Sequence, residues 1–290
     1  MTDHDSDVLV SPEWLESNLD RFESDDPDYR LVEADREFET AYAESHVPGA
    51  VGVDWDDDLQ DSLERDLLKR EAFEETLGEA GITEDTTVVL YGDESNQWAA
   101  YTYWQFRYWG HDDVRLLDGG RPYWTDNDLP LTDAVPEYTT REYDASGPYG
   151  TFRIFRDGVR EALDQDVPMV DVRSAEEFRG EIVAPEGSAE TARRAGHIPG
   201  ATHVSWTENY DDEGRFKSAD ELRDLYREYG VEDDREVVTY CRIGERSSLT
   251  WFALHELLDF EAVRNYDGSW TEWGSLIRAP VEADVDDPAP

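Results

Sequence analysis

The stretch Glu236-Val-Val-Thr-Tyr240-Cys241-Arg242-Ile243-Gly244-Glu245-Arg246-Ser247-Ser248, continuing through apolar residues to Leu258, decides the fold. Residues 236–240 are β-branched and aromatic, a short strand pattern, and residues 247–258 have the length and spacing of a helix. Strand, tight loop and helix N-terminus in succession make an anion cradle. Loop amides point inward, and the positive end of the helix dipole favours a thiolate and a bound anion. Cys241 is the only cysteine in 290 residues and stands first in that loop. Arg242 and Arg246 add two permanent charges, so the thiol is expected to titrate below its usual range and to act as a nucleophile. The competing reading is a buried cysteine serving as a small hydrophobe, the commoner fate of the residue; the flanking cations weigh against it.

Working outward from this loop, the chain repeats itself. Ser45-His-Val-Pro-Gly-Ala50 matches Gly196-His-Ile-Pro-Gly-Ala201, Thr87-Val-Val-Leu-Tyr91 matches Glu236–Tyr240, and Asp118-Gly-Gly120 with Trp124 matches Asp267-Gly-Ser269 with Trp273. The offsets are 151, 149 and 149 residues, so the period is that of a whole domain, not of a solenoid repeat. The expected organisation is a first domain over 8–134, a linker bearing Pro, Gly, Ser and Tyr over 135–150, a second domain over 151–280 and an acidic, frayed tail over 281–290. In the second half, strand patterns at 167–172, 201–205, 236–240 and 262–265 alternate with helical patterns at 175–178, 218–229 and 247–258. Ser218 reads as an N-cap and Gly230 as a helix stop. The first half has strand patterns at 31–34, 86–91 and 114–117. Such β-α alternation predicts an α/β fold with mostly parallel sheets covered by helices.

The halves differ where chemistry is concerned. Gly92 stands opposite Cys241, and Asp93-Glu-Ser-Asn-Gln97 opposite Arg242–Arg246. The first domain lacks the nucleophile and both loop cations, and is expected to be catalytically silent.

Composition narrows the classes further. There are 71 acidic and 26 basic residues, a formal net charge of −45, and only Lys69 and Lys217 are lysines. Aromatic residues at 12%, ten of them Trp, argue against disorder. No basic stripe exists to neutralise phosphates, so nucleic acid is not an expected partner. One cysteine excludes an intramolecular disulfide framework and a multi-cysteine metal site, and His203 and His255 lack ligand spacing, so no metal is expected. Residues 1–7 are acidic without an apolar signal segment, and no stretch approaches a membrane span. A soluble, cytoplasmic protein without a membrane partner is the expectation. The acidic, lysine-poor composition resembles that of cytoplasmic proteins from extremely halophilic archaea.

The duplication, the Gly196–Ala201 segment and the Cys241–Ser247 loop together resemble the two-domain rhodanese family of thiosulfate and 3-mercaptopyruvate sulfurtransferases, over roughly residues 8–280. The resemblance implies two α/β domains, each a five-stranded parallel sheet between helices, with the active cysteine at the domain interface. It implies that the Cys241 thiolate attacks the outer sulfur of thiosulfate, expels sulfite and becomes a persulfide. A thiophilic acceptor (cyanide, a thiol or a sulfur-carrier protein) then takes the sulfur, with no cofactor. Amides of Arg242, Ile243, Gly244, Glu245, Arg246 and Ser247 would stabilise the terminal sulfur. Gly244 would let the loop turn, and Arg246 would brace it. Glu245 is expected to point outward or pair with an arginine, with no catalytic role.

Four residues separate Cys241 from Arg246. Cysteine-dependent phosphatases use a loop one residue longer, wide enough for a tetrahedral phosphate, so phosphatase or arsenate reductase activity is the lesser enzymatic reading. Arg242 favours dianionic thiosulfate over 3-mercaptopyruvate as donor through charge-assisted hydrogen bonds. Many members of the family place a donor-binding arginine six residues after the aspartate equivalent to Asp171; here that position is Glu177. Arg179 and Arg173 are the substitutes, with a structural ion pair to Asp171 as the alternative for Arg173. His197 reads as a turn residue rather than a base, because His46 repeats it in the half without a nucleophile. The Asp171–His197 interval is 26 steps against 13 from Glu33 to His46, and its Arg193-Arg194 belongs to a lid or to variable surface. Besides the two donors, a third reading remains: a non-enzymatic sulfur-relay module.

An acidic surface of this density repels itself, and molar salt shortens the screening length to about 3 Å. The melting temperature is therefore expected to fall on transfer from molar to dilute KCl; an unchanged value, followed by circular dichroism, would contradict the electrostatic account.

Overall fold

Apolar runs at the centre of each half become the parallel strands that position everything else. The computed structural model describes residues 8–188, 190–285 and 289, and they form two compact units. The first takes in the chain to residue 149 together with 211–216. It contains β1 (Leu9–Val10), α1 (Pro12–Glu16), α2 (Leu19–Phe22), β2 (Tyr29–Asp35) and β3 (Ala50–Asp54). A small hairpin of β4 (Gln60–Asp61) and β5 (Asp66–Leu67) follows, then α3 (Arg70–Glu79), β6 (Thr87–Tyr91), α4 (Asp93–Trp109), β7 (Val114–Leu117) and α5 (Gly120–Asp126). The main sheet runs β1-β7-β6-β2-β3, every pair parallel. All five residues of β6 are buried, as expected where helices cover both faces of a parallel sheet.

The second unit contains α6 (Arg156–Asp164), β8 (Met169–Asp171), α7 (Ala175–Arg179), β9 (Thr202–His203), α8 (Ala219–Glu228), β10 (Val237–Tyr240), α9 (Glu245–Phe252), β11 (Val263–Tyr266) and α10 (Ser269–Trp273). Its sheet runs β11-β10-β8-β9, again all parallel. It has four strands where five are expected. At the fifth position a single parallel bridge joins Arg153 to Asn265. The strand stops there because the chain enters α6 at Arg156 and the Arg153 side chain turns to Asp267, Nη2 to Oδ2 2.6 Å. Two capping boxes fix helix starts: Ser174 with Glu177 at α7, and Ser218 with Glu221 at α8. The helix expected over 247–258 begins two residues earlier and finishes in a π-helical turn, Ala253–Leu257. That wider turn seats His255 edge-on against Trp251, ring centres 4.7 Å apart. Trp98, Trp104, Trp109, Trp251, Trp270 and Trp273 are core residues, whereas Trp206 is only half-buried.

Two segments expected to be loose are tied down. Residues 135–149 form a strap on the first unit. Tyr138 donates its hydroxyl to Gly49 O (2.7 Å) and lies 3.9 Å from the Arg30 guanidinium, and the Arg70 guanidinium donates to Ala145 O and Gly147 O. At the other end of the chain, His197 and Glu282 exchange both backbone hydrogen bonds, 2.8 and 3.0 Å, as His46 and Thr132 do in the first unit. The part of the expected tail over 286–288 and at 290 lies outside the described residues. Among the described residues no helix is long and apolar enough to cross a membrane.

Candidate active site

β10 delivers Cys241 just past the carboxyl end of the sheet, where parallel sheets hold their ligands. Cys241 is fully buried. Its N–H donates to Ser269 Oγ at 3.0 Å, and its carbonyl accepts from the Trp270 amide at 3.1 Å. The Ser269 hydroxyl in turn donates to Tyr266 O at 2.6 Å, so the start of α10 pins the backbone of Cys241. Gly244 adopts φ +102°, and a Cβ there would lie 2.7 Å from Asp267 Cα, so the position admits only glycine. Its N–H points back to Cys241 Sγ at 3.1 Å. Its carbonyl accepts from Ser247 Oγ (3.1 Å), Ser248 Oγ (2.9 Å) and Asn265 Nδ2 (3.1 Å). With the Ser248 amide at 3.0 Å, four donors meet this one carbonyl and hold the peptide that follows Gly244.

Of the two expectations for Glu245, the structure shows the pairing with an arginine and not the outward course. The side chain is buried and turns back into the loop, accepting from the Cys241 sulfhydryl at 3.1 Å through Oε2 and facing Arg246 Nε at 3.3 Å through Oε1. Arg246 Nη1 meets Glu177 Oε2 at 3.0 Å, and Glu177 is fully buried as well. The sequence-based expectation of a lowered thiol pKa is thereby reversed. Burial pushes the Cys241 thiol up, the Glu245 carboxylate pushes it further, and Arg246 only partly opposes them. Burial works against the charge on Arg246, yet its two carboxylate neighbours hold it well above the usual arginine range. Arg246 thus serves Glu245 and Glu177 as a buried ion-pair partner. Arg242, half-buried, makes no side-chain hydrogen bond or ion pair among the described residues, and its Nε is buried without a partner. Ile243 is half-buried, and Ser247 is locked by its bonds to Gly244 O and, at 2.6 Å, to Asn265 Oδ1.

The remaining candidates sit elsewhere. Arg173 is buried and chelates Asp171, Nη2 to Oδ2 2.6 Å and Nε to Oδ1 3.0 Å, and also donates to Gly196 O at 2.7 Å. Arg179 is exposed and pairs with Glu181 at 3.0 Å. Neither guanidinium bonds to the cysteine loop, so the structure gives no support to a donor contact from either. His197 stacks on Phe178 at 3.8 Å and bonds its carbonyl at 2.8 Å, as His46 stacks on Tyr42 at 4.1 Å and bonds its carbonyl at 2.9 Å. Arg194 does not reach over the loop: it donates to the carbonyls of Trp273, Gly274, Leu276 and Ala279. Ser269 and Asn265 were not singled out from sequence, and Glu177 was noted only as a departure. One signal was present: Glu177 stands three residues after Ser174, the spacing of a capping box. Among the described residues no group of three or more His, Cys, Asp or Glu is arranged to hold a metal.

The corresponding place in the first unit shows what the loop becomes without its cysteine. The Gly92 carbonyl accepts from the Arg121 amide (2.9 Å), as Cys241 O does from Trp270. Glu94, Ser95 and Asn96 all have positive φ, and the Asn96 side chain accepts from Gly92 N–H at 3.0 Å. Carboxylates crowd the spot. Asp35 Oδ1 accepts from the Asp93 amide at 2.7 Å, while Glu33 pairs with Arg121 and Tyr91. Burial, reinforced by Glu33, pushes Asp35 up to about 8; burial, reinforced by Asp35, pushes Asp93 up to about 7.

The rhodanese-like domain model matches residues 11–127 and again 156–276. A Haloferax volcanii protein provisionally named thiosulfate sulfurtransferase is 60% identical over 281 residues, 97% of this chain and 98% of that one. The Thermus thermophilus sulfur carrier protein TtuD is 45% identical over 280 residues, 95% and 96%. Among solved structures, an EanB variant titled as a cysteine persulfide in a tetrahedral intermediate state with ergothioneine superposes with a TM-score of 0.84 at 29% identity, over 96% of this chain and 71% of that one.

Removing Arg246 leaves two buried carboxylates unpaired, so Arg246→Met is expected to cost about 3 kcal/mol in urea unfolding. Adding Glu177→Gln should recover part of that loss, and strictly additive effects would show that the two do not couple. For Asp35 and Asp93 the folded-state pKa values lie above the unfolded one. The folded chain therefore binds these protons more tightly, and their contribution is lost as pH rises towards 8. Stability of the first unit is expected to fall by roughly 1 kcal/mol per pH unit between pH 6 and 8. Asp35→Asn should flatten that slope in thermal unfolding across the range, and an unchanged slope would refute the assignment.

Proposed function

Because this chain belongs to the rhodanese family and carries its domain twice, we propose that it is a thiosulfate sulfurtransferase working through a Cys241 persulfide. The observation that carries the donor assignment is Arg242. Arg246 is neutralised by Glu245 and Glu177, whereas Arg242, next to the nucleophile, has no internal partner among the described residues and is available to a dianionic donor. The Cys241 thiolate attacks the outer sulfur of thiosulfate; the new S–S bond forms as the bond to the sulfonate breaks, and sulfite leaves with the electron pair. The Gly244 amide, 3.1 Å from Sγ, belongs to the set of loop dipoles placed to meet the anionic sulfur. Cyanide or a thiol then attacks the outer sulfur, and Cys241 leaves as thiolate. The name of the similar EanB structure supports persulfide chemistry on this fold. The name of the similar Thermus protein favours a second reading, in which the loaded sulfur is handed to a protein acceptor as one step of a relay.

Intact mass and sulfite release after mixing with thiosulfate in molar KCl test the proposal, with Cys241→Ser as control. One added sulfur on the parent chain alone, removed by cyanide over many cycles, is the expected result. Loading without turnover would favour the relay reading, and no loading of a folded chain would overturn the thiosulfate reading. Arg242→Ala should raise KM for thiosulfate roughly tenfold while leaving kcat within a few-fold, the pattern of a lost ground-state contact.

A further inference from the structure

The reaction proposed above requires a thiolate, yet the sulfhydryl of Cys241 donates at 3.1 Å to a buried carboxylate that opposes its ionisation. Resting on that sulfur-transfer reading, we propose that Glu245 is the catalytic base that takes the Cys241 proton and stores it until the sulfur has been passed on.

The geometry supplies each requirement. Oε2 already accepts the S–H bond, so no movement is needed for transfer. Oε1 faces Arg246 Nε, and Arg246 is shared with Glu177 on α7, so one cation meets two carboxylates and Oε2 is left directed at the sulfhydryl. The other charged groups around the loop are committed elsewhere or point to the donor. Asp267, ahead of α10, pairs with Arg153; Asp171 on β8 pairs with Arg173; Arg242 is left for the substrate. Tyr240, the last residue of β10, accepts from the Ile198 amide, so its hydroxyl is engaged away from the sulfur. Glu245 is therefore the carboxylate bonded to the reacting sulfur.

The proton balance closes over one cycle. At rest the pair is Cys241–SH with Glu245–COO⁻. Transfer gives Cys241–S⁻ with Glu245–COOH, so the pair never carries more than one negative charge in a buried site, where a second would be costly. The thiolate attacks the donor, the new S–S bond forms, sulfite departs with its electron pair, and Glu245–COOH is left facing the persulfide as a hydrogen-bond donor. When an acceptor removes the outer sulfur, Cys241 leaves as thiolate and recovers the proton from Glu245. Raising of the thiol pKa by burial and by Glu245 fits a nucleophile that is protonated at rest and discharged only on demand.

Two rates measured on the full chain between pH 6 and 9 test this: sulfite release on thiosulfate addition, and Cys241 alkylation by iodoacetamide with no donor present. With Glu245 in place both are expected to vary by less than about threefold across the range, without ultraviolet thiolate absorbance at pH 7, because the pair as a whole keeps one proton. Glu245→Gln should slow both by about tenfold or more at pH 7 and make them climb about tenfold per pH unit, the signature of a thiol ionised only by solvent. Glu245→Asp should keep the flat profile at reduced rate. Alkylation of Glu245→Gln at pH 7 as fast as the parent or faster would overturn the proposal, leaving the carboxylate merely repulsive. Thiolate absorbance in the parent at pH 7, or a parent rate that climbs about tenfold per unit, would overturn it too. These two parent readouts decide the matter if Glu245→Gln does not fold. A parent that takes no sulfur from thiosulfate yet shows the expected alkylation profiles would sink the donor assignment and leave the proton-storing pair standing.

Discussion

The buried Arg246 guanidinium, held between Glu245 and Glu177, is the constraint on which the second unit's site depends. One carboxylate comes from the start of α9 and the other from α7, so the ion pair ties the cysteine loop to a helix reached some 70 residues earlier in sequence. Glu177 is committed twice through one oxygen, Oε2, which closes the capping box of α7 and receives Arg246. Without this tie Glu245 would lose the counter-charge that allows a second anion beside the thiol. Cradle, base and brace are thus one electrostatic object rather than three.

Much of the architecture was legible because parallel sheets announce themselves. The run 237–240, β-branched and aromatic and buried throughout, stops at a glycine-bearing loop, which made the strand and the loop legible together. The duplication was legible because three landmarks kept nearly one spacing, and Gly92 opposite Cys241 marked the half without a cysteine. The direction of the Glu245 side chain was not legible. It follows from the left-handed turn at Gly244, which rotates the next residue inward, and that turn depends on the close approach of Asp267, distant in sequence. Counting cations along the loop therefore overstated its positive potential, because neither the burial nor the long-range partner Glu177 is visible in a local count. For Arg173 the structure shows the second of its two expectations, the ion pair with Asp171 two residues away. The short β1 and β3 and the small hairpin escaped notice because two- to five-residue strands with mixed burial carry little periodicity.

The twin loops show how one backbone frame supports opposite electrostatics. In both, an amide near the start of the helix after the next strand (Arg121 in α5, Trp270 in α10) holds the carbonyl of Gly92 or Cys241, and a side chain (Asn96 or Ser269) receives its N–H. The second unit fills that frame with a sulfur and an ordered alternation of charges. The first fills it with carboxyl groups that burial drives towards their neutral forms. The frame is a property of the fold, and the chemistry is set by a handful of side chains placed in it.

The strap over 135–149 bears on the order in which the chain can mature as it is synthesised. The buried Arg30 stacks beneath Tyr138, and Arg70 finds its carbonyls at Ala145 and Gly147. A nascent chain that has emerged only to residue 134 holds all the strands of the first sheet but leaves those two guanidinium groups short of their partners. In energetic terms the continuous part of the first unit ends near residue 149, and a fragment cut where sheet and helices finish would melt below one that retains the strap.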